Sequence, residues 1–319
     1  MNTTTESIYE NICRARNELA VLPPEYSLPQ EDKPQQDKVR FVDGALDGIA
    51  LYHMGVPKQD TALLEQALNT AATNLEQAHE LVRQWVTDGH MISAREKILN
   101  YLLEHQQQLP APEIYRLAVE CALKGTHREE VKFGLVLLVL FDMSQNEPLK
   151  NAMRILALSD EFTLYVLQAA AGWDNSAQEI LRIAKGVRGW GRIHAVTALE
   201  PETQEIADWL FAEGWNNTVL HAYSALECCQ KADLRQRLEN DMGEKDFFCA
   251  CELLTALLAE GPVPGISEIE DRAGLLNAFV DCATSKAVSP QRQNALKLAA
   301  EYAADHELPE IAERIRFLL

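Results

Sequence analysis

The sequence predicts an all-α chain, an α-α superhelix built from successive helix pairs. Three observations carry that expectation. No stretch alternates apolar and polar residues with period two, and no Asn-Gly or Asp-Gly turn joins two β-branched runs. Ala and Leu dominate the apolar set at the expense of Val, Ile and Thr, which favours helix over sheet. Apolar residues recur at helical spacing in short segments, and Gly, Pro and N-cap residues punctuate them regularly.

Taken in order, the first helix is expected over 6–20, capped by Thr4 or Thr5. The stretch 21–38, VLPPEYSLPQEDKPQQDK, has four prolines and many polar groups, so it reads as an extended arm tied to the surface. Residues 1–38 thus form a helix plus arm, and 39–319 the helical stack, with 39–89 set apart as an N-terminal portion. A helix is expected over 39–54, with Gly44 and Gly48 on one face for close packing. A long amphipathic segment follows over 60–86, bent near Asn69-Thr70, and Ser93 caps the next helix, to 108.

From there the corners become regular. A helix from Pro112 stops at Gly125, and Thr126 with Glu129 spells a capping box for its successor. That helix contains VKFGLVLLVLF, apolar on every face, and so belongs deep in the protein. Pro148, Ser159 or Asp160, and Ser176 open the next three. A short helix spans 192–199, Pro201 begins another that Gly214 closes, and Asn216 or Asn217 caps the one after. Helices over 234–242, 246–259, 268–287, 290–304 and from Pro309 onward complete the chain.

The net charge of −19 opposes phosphate backbones and anionic lipid, so nucleic-acid and membrane partners are disfavoured and a basic protein or peptide suits the chain better. The polar start without an apolar core predicts a cytoplasmic protein whose seven cysteines stay thiols. No Cys/His spacing of a metal ligand set and no cofactor fingerprint is legible. G-x-S-x-G, H-E-x-x-H and the Walker A loop are also missing, which favours a non-catalytic role.

Helix pairs recurring without a shared residue pattern give the chain, over 90–319, a resemblance to the HEAT/armadillo-like α-solenoid class. The segment GWGRIHAVTALEPETQEIADWL is also similar to one in uncharacterised bacterial proteins of that class. The resemblance implies an interaction or scaffold module and brings no catalytic residue with it.

The feature that stands out locally is 189–223, which holds Trp190, Trp209 and Trp215 of the five tryptophans. Beside it, 181–199 carries Arg182, Lys185, Arg188, Arg192 and His194 with no acid. The candidate binding residues are therefore Arg188, Trp190, Arg192, His194, Trp215, Asn216 and Tyr223. Gly189 and Gly191 would offer backbone N–H groups to an anion at a helix N-terminus. The competing reading pairs these cations with acids on neighbouring helices. In that register Arg192 leans toward the apolar stripe, His194 lies on the outer side, and Trp190 and Trp215 sit at corners where an aromatic can face a partner. A protein-binding surface is the leading function. A small-anion binder or enzyme using this corner is the alternative, and a HEAT-like DNA-repair glycosylase is the weaker one, opposed by the charge.

Thiol titration under denaturing, non-reducing conditions is expected to return all seven cysteines free. A bridge mapped by mass spectrometry would overturn the reducing-compartment reading.

Overall fold

The computed structural model describes residues 6–17, 21–29 and 41–319. Among these residues there are eighteen α-helices and no strand. The chain divides into two compact units, 1–191 and 192–319.

In the first unit, α1 (Ile8–Ala15) and α2 (Ala45–Ile49) precede α3 (Ala62–Ala71), α4 (Leu75–Trp85), α5 (Met91–His105) and α6 (Ala111–Lys124). Then come α7 (Arg128–Leu138), α8 (Glu147–Leu156), α9 (Asp160–Ala170) and α10 (Ser176–Gly186). The division between units falls after the second residue of α11 (Trp190–Ala198). Helices α3, α5, α7 and α9 pack one on the next, while α3–α4 and α6–α7 form tight hairpins. Helix α1 packs against both α6 and α8, and the Ile8 amide donates to the Gly125 carbonyl at 3.0 Å.

The second unit holds α12 (Gln204–Trp209), α13 (Ala222–Lys231), α14 (Leu234–Glu239), α15 (Glu244–Leu258), α16 (Arg272–Thr284), α17 (Pro290–Asp305) and α18 (Pro309–Arg316). Here α13, α15 and α17 succeed one another in contact, and so do α14, α16 and α18. This is a two-layer succession in which each helix meets the one two places on.

Local chemistry moves several expected boundaries. Ser7 caps α1, closing a capping box with Glu10, so the helix starts later than expected; Thr4 and Thr5 lie outside the described residues. The anticipated bend near Asn69 is a full break, because the Asn74 side chain accepts from Gln77 N and starts α4 afresh. The expected capping box of Thr126 with Glu129 does not form: His127 is the N-cap, its ring accepting from the Glu129 amide, and Glu130 reaches back to the Thr126 amide. Among the described residues of 39–54 the α-helix is only the five residues of α2, continued by a π turn over 50–54. A second π turn, over 210–214, continues α12, which Thr203 caps, leaving Pro201 in the preceding loop. Of the arm, Leu28 is buried and the Tyr26 hydroxyl donates to Asn11 at 2.8 Å, so its described part is indeed anchored.

Helix α7 is buried along every face from Glu129 to Leu138, as its uninterrupted apolar run requires. Gly134 makes its approach to α6 possible. A Cβ there would lie 2.5 Å from the Ala122 amide nitrogen and 2.6 Å from the Ala118 carbonyl oxygen, both backbone atoms that cannot swing aside. Gly134→Val is expected to cost at least about 2 kcal/mol by forcing this hairpin apart. Urea unfolding checks it: the midpoint should fall while the slope is unchanged, and a wild-type midpoint would refute the close-packing account.

Candidate functional site

The basic segment and its corner come first. Gly189 and Gly191 do point their amides at an anion, but the chain supplies it. Both donate to Asp160 Oδ1, at 3.2 and 2.7 Å, so the carboxylate at the start of α9 caps the start of α11. Arg182, Lys185 and Arg188 are exposed. Trp190 is buried rather than offered to a partner: its ring stacks over Gly48, where any Cβ would collide with it, and lies 6.0 Å from the Tyr52 ring.

In the second unit Arg192 is buried, as its register implied. Its guanidinium donates to the Asn216 carbonyl at 2.8 Å and lies over the Trp209 ring at 5.6 Å. His194, expected on the outer side, is also buried, because α11 is covered on all sides through Val196. Trp215 is buried too: its indole donates to the Phe211 carbonyl at 3.0 Å, and His221 meets it edge-on. Tyr223 is partly covered, and burial pushes its phenol up. Asn217, not Asn216, organises the corner. Its Oδ1 accepts from the Val219 and Leu220 amides at 3.0 and 2.8 Å, while its Nδ2 reaches the Trp215 carbonyl and Ser224 Oγ. Asn216 and 218–220 stay exposed above this frame.

Two buried polar clusters in the first unit were not read from the sequence. In one, Lys132 has no solvent exposure at all and its ammonium meets three carboxylates: Glu161 at 2.6 Å, Asp47 at 2.9 Å and Glu129 at 2.9 Å. The Tyr165 hydroxyl donates to Asp47 at 2.9 Å, the Gly44 amide to Glu161 at 2.7 Å and the Met91 amide to Glu129 at 2.5 Å. Arg128 closes the rim, 2.8 Å from Asp43 and 3.5 Å from Glu161. Burial pulls the Lys132 pKa down, but Glu129, Glu161 and Asp47 outweigh it and hold the ammonium well above its ordinary range. At Glu161 burial is likewise outweighed, by Lys132 and Arg128, and the carboxyl stays below the usual range; at Glu129 burial prevails and pushes it up. The hint in the sequence was Lys132 itself, a charge inside a wholly apolar run that must find carboxylates to exist there.

In the other cluster, His79 on α4 faces Cys121 on α6 and Glu130 on α7. His79 Nδ1 lies 3.7 Å from Cys121 Sγ and 3.9 Å from Glu130 Oε1, and Nε2 lies 3.0 Å from Glu120 Oε2. Burial, with the Glu130 and Glu120 carboxylates, raises the Cys121 thiol well above its ordinary range. Burial also raises Glu130, against the Thr126 amide, His79 and Arg83. Glu120 is the opposite case: burial resists ionisation, but hydrogen bonds from His79, Lys124 and Arg116 hold it below the usual range. No spacing in the sequence announces this group, since its members come from three helices.

Comparison with protein-family models, with curated proteins and with solved structures gives no match to this chain. Among the described residues no helix is long and apolar enough to cross a membrane.

The Lys132 cluster generates a prediction in pH. In the native protein the depressed Glu161 contributes stability that is present above the ordinary glutamate value and lost as pH falls through its folded value. The raised Lys132 contributes stability that is present below the ordinary lysine value and lost as pH climbs through its folded value. Lys132→Met strands the carboxylates and is expected to cost about 3–5 kcal/mol at neutral pH. Those carboxyls then bind protons more tightly folded than unfolded, so the variant should regain stability as pH falls from about 8 to 5. Urea midpoints across that range test it, and a variant that tracks the wild-type pH profile would show the cluster is not electrostatically coupled.

Proposed function

We propose that this chain is a HEAT/armadillo-like stack of helix pairs that binds a protein partner on its surface. The two-layer succession of α13–α18 supports the architecture, since helices meeting at every second place are how such stacks propagate. The observation that carries the binding role is the corner over 216–220. Val219 and Leu220 are 38 % and 41 % exposed, consecutive, and apolar. Asn217 fixes their backbone from inside, and Arg192 holds the Asn216 carbonyl from beneath. A corner whose shape is set before binding loses little entropy on docking, and a pair of apolar side chains held out of it is what a partner's pocket takes. The acidic chain around it favours a basic rim on that partner.

The anion-binding alternative draws less support. Asp160 already fills the helix N-terminus formed by Gly189 and Gly191, and Arg192 lies under the corner rather than open to a ligand. A DNA-repair role fares no better against the net charge of −19.

The double variant Val219→Asp with Leu220→Asp separates these readings. Affinity capture from lysate of the source cells, quantified by mass spectrometry, should show at least one protein retained by the wild type and depleted about tenfold or more by the variant, with the thermal midpoint essentially unchanged. An unchanged set of captured proteins would remove the corner from the interface. An Arg188→Ala variant that loses binding to inorganic phosphate or acidic peptide would revive the anion reading instead.

A further inference from the structure

We infer that His79, Cys121 and Glu130 form a mononuclear site for a divalent transition metal, with the nitrogen, sulfur and oxygen set that suits zinc(II). The three donor atoms lie within 4.8 Å of one another, with Nδ1 to Sγ 3.7 Å and Nδ1 to Oε1 3.9 Å. Tetrahedral zinc, with bonds of about 2.0–2.3 Å, sets such donors roughly 3.3–3.6 Å apart. The two contacts of His79 Nδ1 therefore need to close in by only a few tenths of an ångström, and Cys121 and Glu130, whose donor atoms lie within 4.8 Å, by up to about 1.3 Å, within reach of side-chain rotation.

The arrangement around the histidine is the second support. The anionic Glu120, anchored by Arg116 and Lys124 at 3.3 Å each, stands 3.0 Å from His79 Nε2. A carboxylate there accepts from Nε2–H, the tautomer in which Nδ1 faces Cys121 and Glu130 as a ligand atom. Metal-bound histidines are typically oriented by a carboxylate on the far nitrogen in this way.

Charge is consistent with a dication. Bound as thiolate and carboxylate, Cys121 and Glu130 neutralise it, their protons passing to solvent. The nearby Arg83 is turned to Glu80, 2.9 Å away. Cys121 is fully buried, whereas the His79 and Glu130 side chains keep 14 % and 8 % exposure, so the cluster opens to solvent on one side. Three protein ligands and an open fourth position are the pattern of a zinc that keeps a water, not of a closed structural site. The ligands come from α4, α6 and α7, so the metal would pin α4 to the α6–α7 hairpin. This inference concerns the first unit and is independent of the corner over 216–220.

Cobalt(II) titrated into the chelator-stripped full chain tests the site. One equivalent should bind with a tetrahedral visible spectrum and a thiolate-to-cobalt charge-transfer band, and zinc(II) should displace it. His79→Gln and Glu130→Gln should weaken binding at least about tenfold, and Glu120→Gln about 10- to 100-fold with the band retained at saturation. Cys282→Ser should change nothing. Because Cys121→Ala alters the core, sulfur ligation is read on the wild type, by the band and by X-ray absorption of the zinc form. Failure to bind one equivalent, a wild-type spectrum without the thiolate band, or equal affinity in His79→Gln and Glu130→Gln would each overturn the assignment.

Discussion

An ammonium with no access to water sets the terms for the first unit. Lys132 stands in the middle of the most deeply buried helix, and a charge in that position is tolerable only if every one of its donors is met. Its three carboxylates come from α2, α7 and α9, and two of these carboxylates also accept backbone amides, from Gly44 and Met91. The cluster thus ties the segment before α2, the start of α5 and the length of α9 to one point. Apolar residues in place of the whole ion cluster would pack more cheaply, but they would hold none of these elements in register.

The same logic of internal compensation explains the acid-free stretch beside α11. Part of what the stretch offers is answered from within the fold, while Arg182, Lys185 and Arg188 stay exposed. In three dimensions Asp160 answers the glycine amides, and a backbone carbonyl with an indole face answers Arg192. What the imbalance marks is a place where α11 needs its partners from elsewhere in the sequence. The surface left over is the Asn217 corner, where polar groups turned inward leave two apolar side chains facing out.

This division shows what could be read beforehand. Helix content, the caps at Ser159 and Ser289 and the depth of 131–138, though not of Val139–Phe141 beyond them, follow from local rules, because capping and periodicity act within a few residues. The burial of Trp190 depended on Gly48, far back in the chain, and that of His194 on cover from both sides, so neither was visible from the register of one helix. Lys132 advertised that it must have partners but not which ones. His79, Cys121 and Glu130 advertised nothing, each being an ordinary residue on an ordinary amphipathic face until α4, α6 and α7 came together.

The seat of α1 against α6 and α8 carries a consequence for synthesis. The segment Ile8–Ala15 is synthesised before both helices it packs on, and α8 ends only at Leu156. At ordinary elongation rates that gap is on the order of ten seconds, during which Ile8 and Ile12 lack the α8 side of their seat. The amphipathic strip of α1 therefore stays partly uncovered until α8 has been made, and its seat is completed by a helix that follows it by more than a hundred residues.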